Sequence, residues 1–415
     1  MDFMDNLKVF RGILSLIMAF WLAFGSFCFP AVALTDEQKL VSQAWRIVNR
    51  TYLDDTFNHQ NWAQVRQKAL KTPLKDSSSA YEAIQNMLKT LDDPFTRFLD
   101  PEQYRSLQVN TSGELTGVGL QIALEPKTGQ LQVVAPIAGS PAEKAGIQPR
   151  DRITQIEGTP TENLTLDEAA SLMRGRIGTT VSLTIERDDA PTQEILIVRD
   201  RITLNPVIAK LQKEKEDNIG YIRLTQFNAN APMELARAIG ELEKKGADGY
   251  VLDLRNNPGG LLQAGIEVAR LWLDSDVVVY TVNRQGIQGS FESFGPALTQ
   301  DPLVILVNQG TASASEILAG ALQDNHRATL VGEKTFGKGL IQSLFELSDG
   351  SGLAVTIAKY ETPNHRDINK LGITPDKVIT SEPIKLQEIA TSSDTQYQAA
   401  LEVLAENREQ LALRS

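Results

Sequence analysis

The chain has 415 residues, too many for one ordinary core, so two or three domains are expected. Its apolar fraction of 42% and charged fraction of 22% are those of a globular protein and exclude a disordered bias. The formal net charge of −11 argues against nucleic acid or an anionic lipid surface as the main partner.

The first 33 residues read as a leader. Lys8 and Arg11 precede an apolar run from Gly12 to Phe29, and Ala31-Val32-Ala33 offers the small-x-small pattern of a signal peptidase site. The expectation is an exported chain cut after Ala33; the alternative is an uncleaved anchor, since the run approaches spanning length. The single cysteine, Cys28, lies in the leader, so the mature chain has neither disulfide nor thiol chemistry. His59, His326 and His365 are far apart and no cluster has metal-ligand spacing, which makes a zinc hydrolase a poor reading.

From Thr35 to about Arg105 the pattern is helical. "TDEQKLVSQAWRIVNRTYL" sets a Thr cap before acids, then Leu40, Val41, Ala44, Trp45, Ile47 and Val48 on one face, and "DSSSAYEAIQNMLKTL" repeats this. A small helical domain over 34–106 is expected, closed by "LDDPFTRFLDPEQYRSL". From Gly113 short β runs with Gly and Pro punctuation take over ("GVGLQIAL", "LQVVAPI", "DRITQIEG", "TVSLTIER", "QEILIVRD"), interrupted by helical "SPAEKAG" and "TLDEAASLMRG". They make a compact β-rich module over 107–203, followed by a charged hairpin or linker, "AKLQKEKEDNIG". From Ile219 buried strands alternate with amphipathic helices, which indicates an α/β layer with a largely parallel sheet over 204–385. A hairpin turning at Ser348-Asp349-Gly350 follows, and 386–415 reads as an acidic helical tail on the surface.

Within the α/β part, "PLVILVNQG" is a strand and "SASEILAGALQDN" a helix, and reactive groups sit at such turns, at the carboxyl ends of strands. Ser313 and Ser315 are both candidate nucleophiles at a helix N-terminus, where free N–H groups favour developing negative charge. Ser313-Ala314-Ser315-Glu316 also fits the S-x-x-E capping box, so capping alone would explain the pattern. His326 fails as a base on length, because thirteen helical residues from Ser313 span roughly 20 Å and proton transfer needs about 3 Å. It is better suited to closing the far end of the helix, where a cation is favourable.

The strand "ATLVGE" returns to the helix start and delivers Phe336-Gly337-Lys338-Gly339. A lysine buried there would lose ammonium stability and serve as a neutral base, with Gln342 four residues on to orient it; a solvated loop lysine is the plainer reading. "GEKTFGKG" imitates a phosphate-binding loop, but Gly339 stands where Ser or Thr would hold magnesium and a strand follows instead of a helix. His365-Arg366-Asp367 likewise imitates a kinase loop without the other kinase parts. Pro258-Gly259-Gly260 ends a core strand in a turn whose N–H groups, with that of Ala314, could pair on an oxyanion; an ordinary turn from strand to helix is the plainer reading.

Together these blocks, in this order, resemble the carboxyl-terminal processing peptidases, or tail-specific proteases, which use a Ser/Lys dyad. "DDPFTRFLDPEQ", "GVGLQI", "LDLRNNPGG", "GTASASEILAGALQDN", "GEKTFGKG" and "GITPD" carry the resemblance over nearly the whole chain. It implies an α+β multidomain protein: an N-terminal helical domain, a PDZ domain and an α/β serine-protease core. It implies Ser313, not Ser315, as nucleophile, Lys338 as base and Gln342 as its orienting residue. It also implies Gly259 and Ala314 N–H as oxyanion donors, with Asp324 and Glu316 in support. The PDZ resemblance implies that Gly117-Val118-Gly119-Leu120 holds a substrate's terminal carboxylate, with Arg174 coupling that module to the catalytic core. "LTGVGL" and "FELSDGSGLAVTIAKYETP" are most similar to the photosynthetic branch, which trims the precursor of the photosystem II D-1 subunit in the thylakoid lumen. The resulting expectation is a monomer in the lumen or periplasm, acting on protein C-terminal tails. It would need neither cofactor nor metal, bind no nucleic acid and keep no membrane insertion after leader cleavage. A general tail protease and an inactive PDZ scaffold are the alternatives.

Overall fold

The computed structural model describes residues 34–125, 128–187, 190–214, 217–382 and 384–412, so the expected leader and its cleavage site lie outside the described residues. Among those residues no helix is long and apolar enough to cross a membrane. The chain opens with α1 (Asp36–Thr51), α2 (Trp62–Lys71) and α3 (Ser77–Lys89), then β1 (Arg97–Leu99) and α4 (Pro101–Ser112). Thr35 caps α1 as its sequence predicts: its Oγ1 accepts from the Gln38 N–H, and Gln38 Oε1 accepts from the Thr35 N–H.

The helical segment is not a free-standing domain. Val41, Val48, Ile84 and Leu88 share one core with Leu347, Leu353 and Val355, far along the chain. Its expected boundary at residue 106 also falls inside α4, which runs to Ser112 and stops at Gly113 in a left-handed conformation (φ 69°).

The module that follows holds β2 (Glu114–Gly117), β3 (Leu120–Leu124), β4 (Leu131–Pro136), α5 (Pro141–Lys144), β5 (Arg152–Ile156), β6 (Thr159–Pro160), α6 (Leu166–Met173), β7 (Thr180–Glu186), β8 (Gln193–Val198) and β9 (Asp200–Thr203). Its sheet runs β3-β4-β5-β7-β8 with β6 on β5, leaving β3 as an edge beside α6. Val118, Leu131, Val133, Ile153, Leu183 and Ile185 give it a core of its own. β2 and β9 pair with each other, so the two ends of the module leave it as one ribbon.

The rest is built on two sheets. β10 (Val207–Glu214) and β11 (Asp217–Leu224) form the expected charged hairpin. After them come α7 (Ala231–Lys244), β12 (Gly249–Asp253), α8 (Leu262–Arg270), β13 (Val277–Asn283), β14 (Gly286–Glu292), β15 (Leu303–Val307), α9 (Ala314–Asp324) and β16 (Thr329–Gly332). β17 (Leu340–Glu346), β18 (Gly352–Glu361), β19 (Lys377–Val378) and α10 (Thr395–Ala412) complete the chain. The six-stranded sheet has the order β10-β11-β12-β15-β16-β19 and is parallel except at β10. The antiparallel sheet has the order β1-β18-β13-β14, with β17 on the other edge of β18.

Both faces of the parallel sheet are apolar, so both need cover. Leu252, Ile305 and Val307 pack under α7, α8 and α9 through Leu235, Ile266 and Leu318. Val251, Val304 and Leu306 point the other way, onto Tyr397, Ala400, Val403 and Leu404 of α10. The C-terminal segment expected on the surface is therefore a structural layer. A buried ionic group pins it: Arg255 lies between Asp253 and Asp394 at 2.7 Å from each, and the Tyr221 hydroxyl donates to Asp253. Removing one partner of a buried ion pair is costly. Asp394→Ala should destabilise the protein by about 3 kcal/mol, read as a lower midpoint in urea unfolding.

Candidate active site

β15 ends at Val307 and the chain turns through Asn308–Ala312 into α9. The turn is tied down on all sides. Thr311 Oγ1 donates to the Leu254 carbonyl and accepts from the Asn308 N–H. Asn308 Oδ1 accepts the Asn256 backbone N–H at 2.9 Å, and its Nδ2 donates to Asn256 Oδ1 at 3.0 Å. The result is Ser313 held at φ 57°, ψ −118°, a left-handed region that non-glycine residues rarely occupy.

The two serines of the turn have different fates. Ser315 is wholly buried and its Oγ donates to the Asn257 carbonyl at 3.0 Å. Ser313 is partly exposed at the helix start. The capping pair expected here forms through the Ser313 N–H, which donates to Glu316 Oε2 at 2.9 Å.

Glu316 is fully buried and accepts three further bonds: Thr335 Oγ1 (2.6 Å), Gly337 N–H (2.7 Å) and Lys338 N–H (2.8 Å). One carboxylate thus joins the backbone of Ser313 to that of Lys338. Tyr360, from β18, reinforces the join from beneath: its Oη lies 3.0 Å from the Ser313 carbonyl oxygen and 2.5 Å from that of Lys338. Burial and the nearby Glu316 and Asp367 push the Tyr360 phenol well above its ordinary pKa, so it stays a neutral donor.

Lys338 is half-buried. Burial, and next the Arg97 guanidinium, hold its ammonium below the usual lysine range, while Asp93 and Glu316 oppose them. Its Nζ lies 4.9 Å from the centre of the Phe95 ring. No described hydrogen bond joins Nζ to Ser313 Oγ. Gln342 sits on β17 opposite Thr356 of β18, after a bulge. Gln342 Nε2 is buried without a hydrogen-bond partner among the described residues.

The expected oxyanion pair is adjacent but half engaged. Gly259 adopts φ 93°, and a Cβ there would lie 2.6 Å from the Ala312 carbonyl oxygen and 2.8 Å from the Ala314 nitrogen. Only glycine permits that approach. Ala314 opens α9, where helix N–H groups lack internal acceptors. The Gly259 N–H, however, donates to Asn257 Oδ1 at 2.9 Å in this structure.

Asp324 lies at the far end of α9, paired with Arg366 and accepting the Asn364 N–H at 3.0 Å. Any support it lends comes through the loop after β18. His326 is exposed beyond that same end, past eleven helical residues, or about 16 Å.

In the β-rich module Val118 is buried, and its carbonyl accepts from the Ala142 N–H at 2.9 Å. Gly119 (φ 80°) is pressed so close to Ser140 that a Cβ would lie 2.4 Å from the serine's own. Gly117 closes β2 and Leu120 opens β3, which shapes the loop above the β3–α6 groove. Arg174 ends α6, exposed and in no described ion pair. Its neighbour Arg199 instead ties the helix end, donating to the Leu172 and Met173 carbonyls at 2.8 and 3.1 Å.

Reasoning from the sequence missed Phe95, Asn257, Thr335 and Tyr360 as parts of the site. Their only signal was membership of the same blocks, "DDPFTRFLD", "LDLRNNPGG", "GEKTFGKG" and "AKYETP".

A serine at a strained strand-to-helix turn beside a half-buried lysine, on an α/β core joined to a PDZ fold, defines a PDZ-bearing serine peptidase. Residues 218–379 match the model of Peptidase family S41 and residues 132–187 that of the PDZ domain. A carboxyl-terminal-processing protease of Picosynechococcus sp. is 60% identical over 398 residues, 96% of each chain. The chloroplastic carboxyl-terminal-processing peptidase 2 of Arabidopsis thaliana is 47% identical over 84% of this chain and 70% of its own. A solved photosystem II D1 C-terminal processing protease aligns with TM-score 0.56 at 40% identity, over 88% of this chain and 99% of that one. The chain belongs to peptidase family S41, as a C-terminal processing protease.

Glu316→Gln keeps the size of the side chain but replaces one acceptor oxygen with a donor, which opposes at least one of the four N–H and O–H groups. Because misplacement by about 1 Å costs about 10²-fold in rate, kcat should fall by that order with KM within about twofold. Steady-state kinetics on a tail peptide would measure it.

Proposed function

We propose that the chain is an exported serine endopeptidase that removes a C-terminal extension, with Ser313 as nucleophile and neutral Lys338 as general base. The observation that carries this reading is the Glu316 carboxylate, which holds the two residues' backbones together through their N–H groups rather than their side chains. Ser313 Oγ attacks the scissile carbonyl as Lys338 Nζ takes its proton. The lysine then protonates the leaving amine, and water resolves the acyl-enzyme with the same group as base. The Ala314 N–H stabilises the oxyanion, joined by that of Gly259 once it turns from Asn257. Gln342, opposite Thr356 on β17, orients the amine by accepting one of its N–H groups on Oε1, which leaves the lone pair for Ser313.

The substrate's C-terminus adds as a strand to β3 in the groove beside α6, its carboxylate against Gly117–Leu120. Arg174 stands at the groove's end as the coupling residue. The substrate is the precursor of the photosystem II D-1 subunit, met in the lumen after the leader is cut at Ala33. The name of the 40%-identical solved protease supports this choice. The competing reading is a general periplasmic tail protease, which the bare chemistry of the site fits equally.

Ser313→Ala and Lys338→Ala should each lower kcat/KM by at least about 10⁴-fold on a D-1 precursor tail; wild-type rates in both would rule out the dyad. Equal rates on D-1 and unrelated tails would favour the general protease. The active form of Lys338 is the unprotonated one. kcat/KM should therefore rise with pH, along a limb centred below the ordinary lysine pKa of about 10.4.

A further inference from the structure

The lysine's surroundings reach beyond the α/β core. The segment between α3 and β1 folds on itself through Asp93, whose carboxylate accepts the Phe95 N–H at 2.9 Å and the Thr96 hydroxyl at 2.7 Å. Thr96 Oγ1 then accepts the Thr356 N–H of β18 at 3.0 Å, and the Thr356 carbonyl takes the Leu53 N–H at 2.8 Å. The N-terminal segment thus completes the edge of β18 between β1 and β13. That docking places the Phe95 ring against Lys338 Nζ.

The lysine's main chain cannot move far, since Glu316 and Tyr360 hold its N–H and carbonyl. Its four-carbon stem can. Two buried polar atoms, Gln342 Nε2 and Thr356 Oγ1, lie on cross-strand partners, each without a hydrogen-bond partner among the described residues. An unpaired buried polar group is costly. An amine arriving there can donate an N–H to the Thr356 hydroxyl oxygen and keep its one lone pair for the nucleophile.

We propose that Phe95 is a positioning residue for the base: its ring face holds the Lys338 ammonium away from Ser313, and loss of the proton releases the neutral amine to Gln342, Thr356 and the nucleophile. This rests on the Ser313/Lys338 reading above. The physical basis is that a ring quadrupole attracts a cation and not a neutral amine. The proton goes to solvent; the freed lone pair then takes the Ser313 hydroxyl proton as Oγ bonds to the substrate carbonyl carbon. The charged groups facing Nζ are Asp93 and Arg97 from the N-terminal segment and Glu316 from α9. Arg97 and burial favour the neutral amine, whereas Asp93, Glu316 and the Phe95 ring favour the ammonium. Phe95 therefore raises the pH at which the base becomes available, and the N-terminal segment sets the working range of the enzyme.

The test is competitive acetylation of Lys338 by acetic anhydride across pH, read by mass spectrometry, in the full chain and in its Phe95→Leu and Phe95→Trp variants. It is paired with pH profiles of kcat/KM. Phe95→Leu keeps an apolar wall without the quadrupole. Its labelling midpoint should fall by about half to one pH unit, with the kcat/KM limb following. Phe95→Trp should leave the midpoint unchanged or raise it. An unmoved midpoint in Phe95→Leu, including one with activity lowered evenly at every pH, overturns the proposal while leaving the dyad intact. A labelling midpoint that moves under an unmoved kcat/KM limb rejects Lys338 as the base, and this role of Phe95 with it.

Discussion

A carboxylate with no exposed surface, Glu316, accepts bonds from Ser313, Thr335, Gly337 and Lys338. Burying a charge is affordable only where its lone pairs are all engaged, and four donors meet that condition. Its place in the first turn of α9 adds the favourable field of a helix N-terminus. Two segments that arrive separately, one before the helix and one after the returning strand, are thereby fixed to one another. The Tyr360 hydroxyl bridges the Ser313 and Lys338 carbonyls, and the Phe336 N–H donates to the Thr311 carbonyl at 3.0 Å.

The remaining architecture supports that junction from three directions. Asn257 holds the Gly259 turn to the Ser313 turn: its carbonyl takes the Ala312 N–H and the Ser315 hydroxyl, and its amide reaches Leu224 and Gly259. Two residues earlier, Arg255 anchors the same turn to Asp394 and so to the C-terminal layer. From the opposite end of the chain, Thr96 and β1 dock on β18, the strand that carries Tyr360.

What could be read beforehand depended on whether the physics was local. Helix length placed His326 out of reach, and the strand after α9 had only one way to run, so Lys338 had to come back towards Ser313. The Ser348-Asp349-Gly350 hairpin announced itself by composition, and the Leu347 N–H to Ser351 carbonyl bond closes it. By contrast β14 escaped notice, because Gly286, Gln288, Gly289 and Ser290 are exposed and show no apolar alternation. α10 was misplaced to the surface, since its acidic residues mask the stripe of Tyr397, Ala400, Val403 and Leu404. The choice of Ser313 over Ser315 had no local signal and came from resemblance; in the structure, burial and a bond to Asn257 separate them.

By itself, then, the sequence determined the order of most elements and placed one serine turn and one glycine-flanked lysine within reach of each other. Periodicity, reach and composition act within a few residues and survive in a linear reading. Only the tertiary structure decided that Glu316 joins the two segments, that Phe95 faces the lysine, and that Thr96 and Asp394 are bound to the strand and turn around them. Apart from the local Ser313–Glu316 bond, those contacts join residues between 19 and 260 positions apart, and such distances are closed by tertiary packing, which no local pattern specifies.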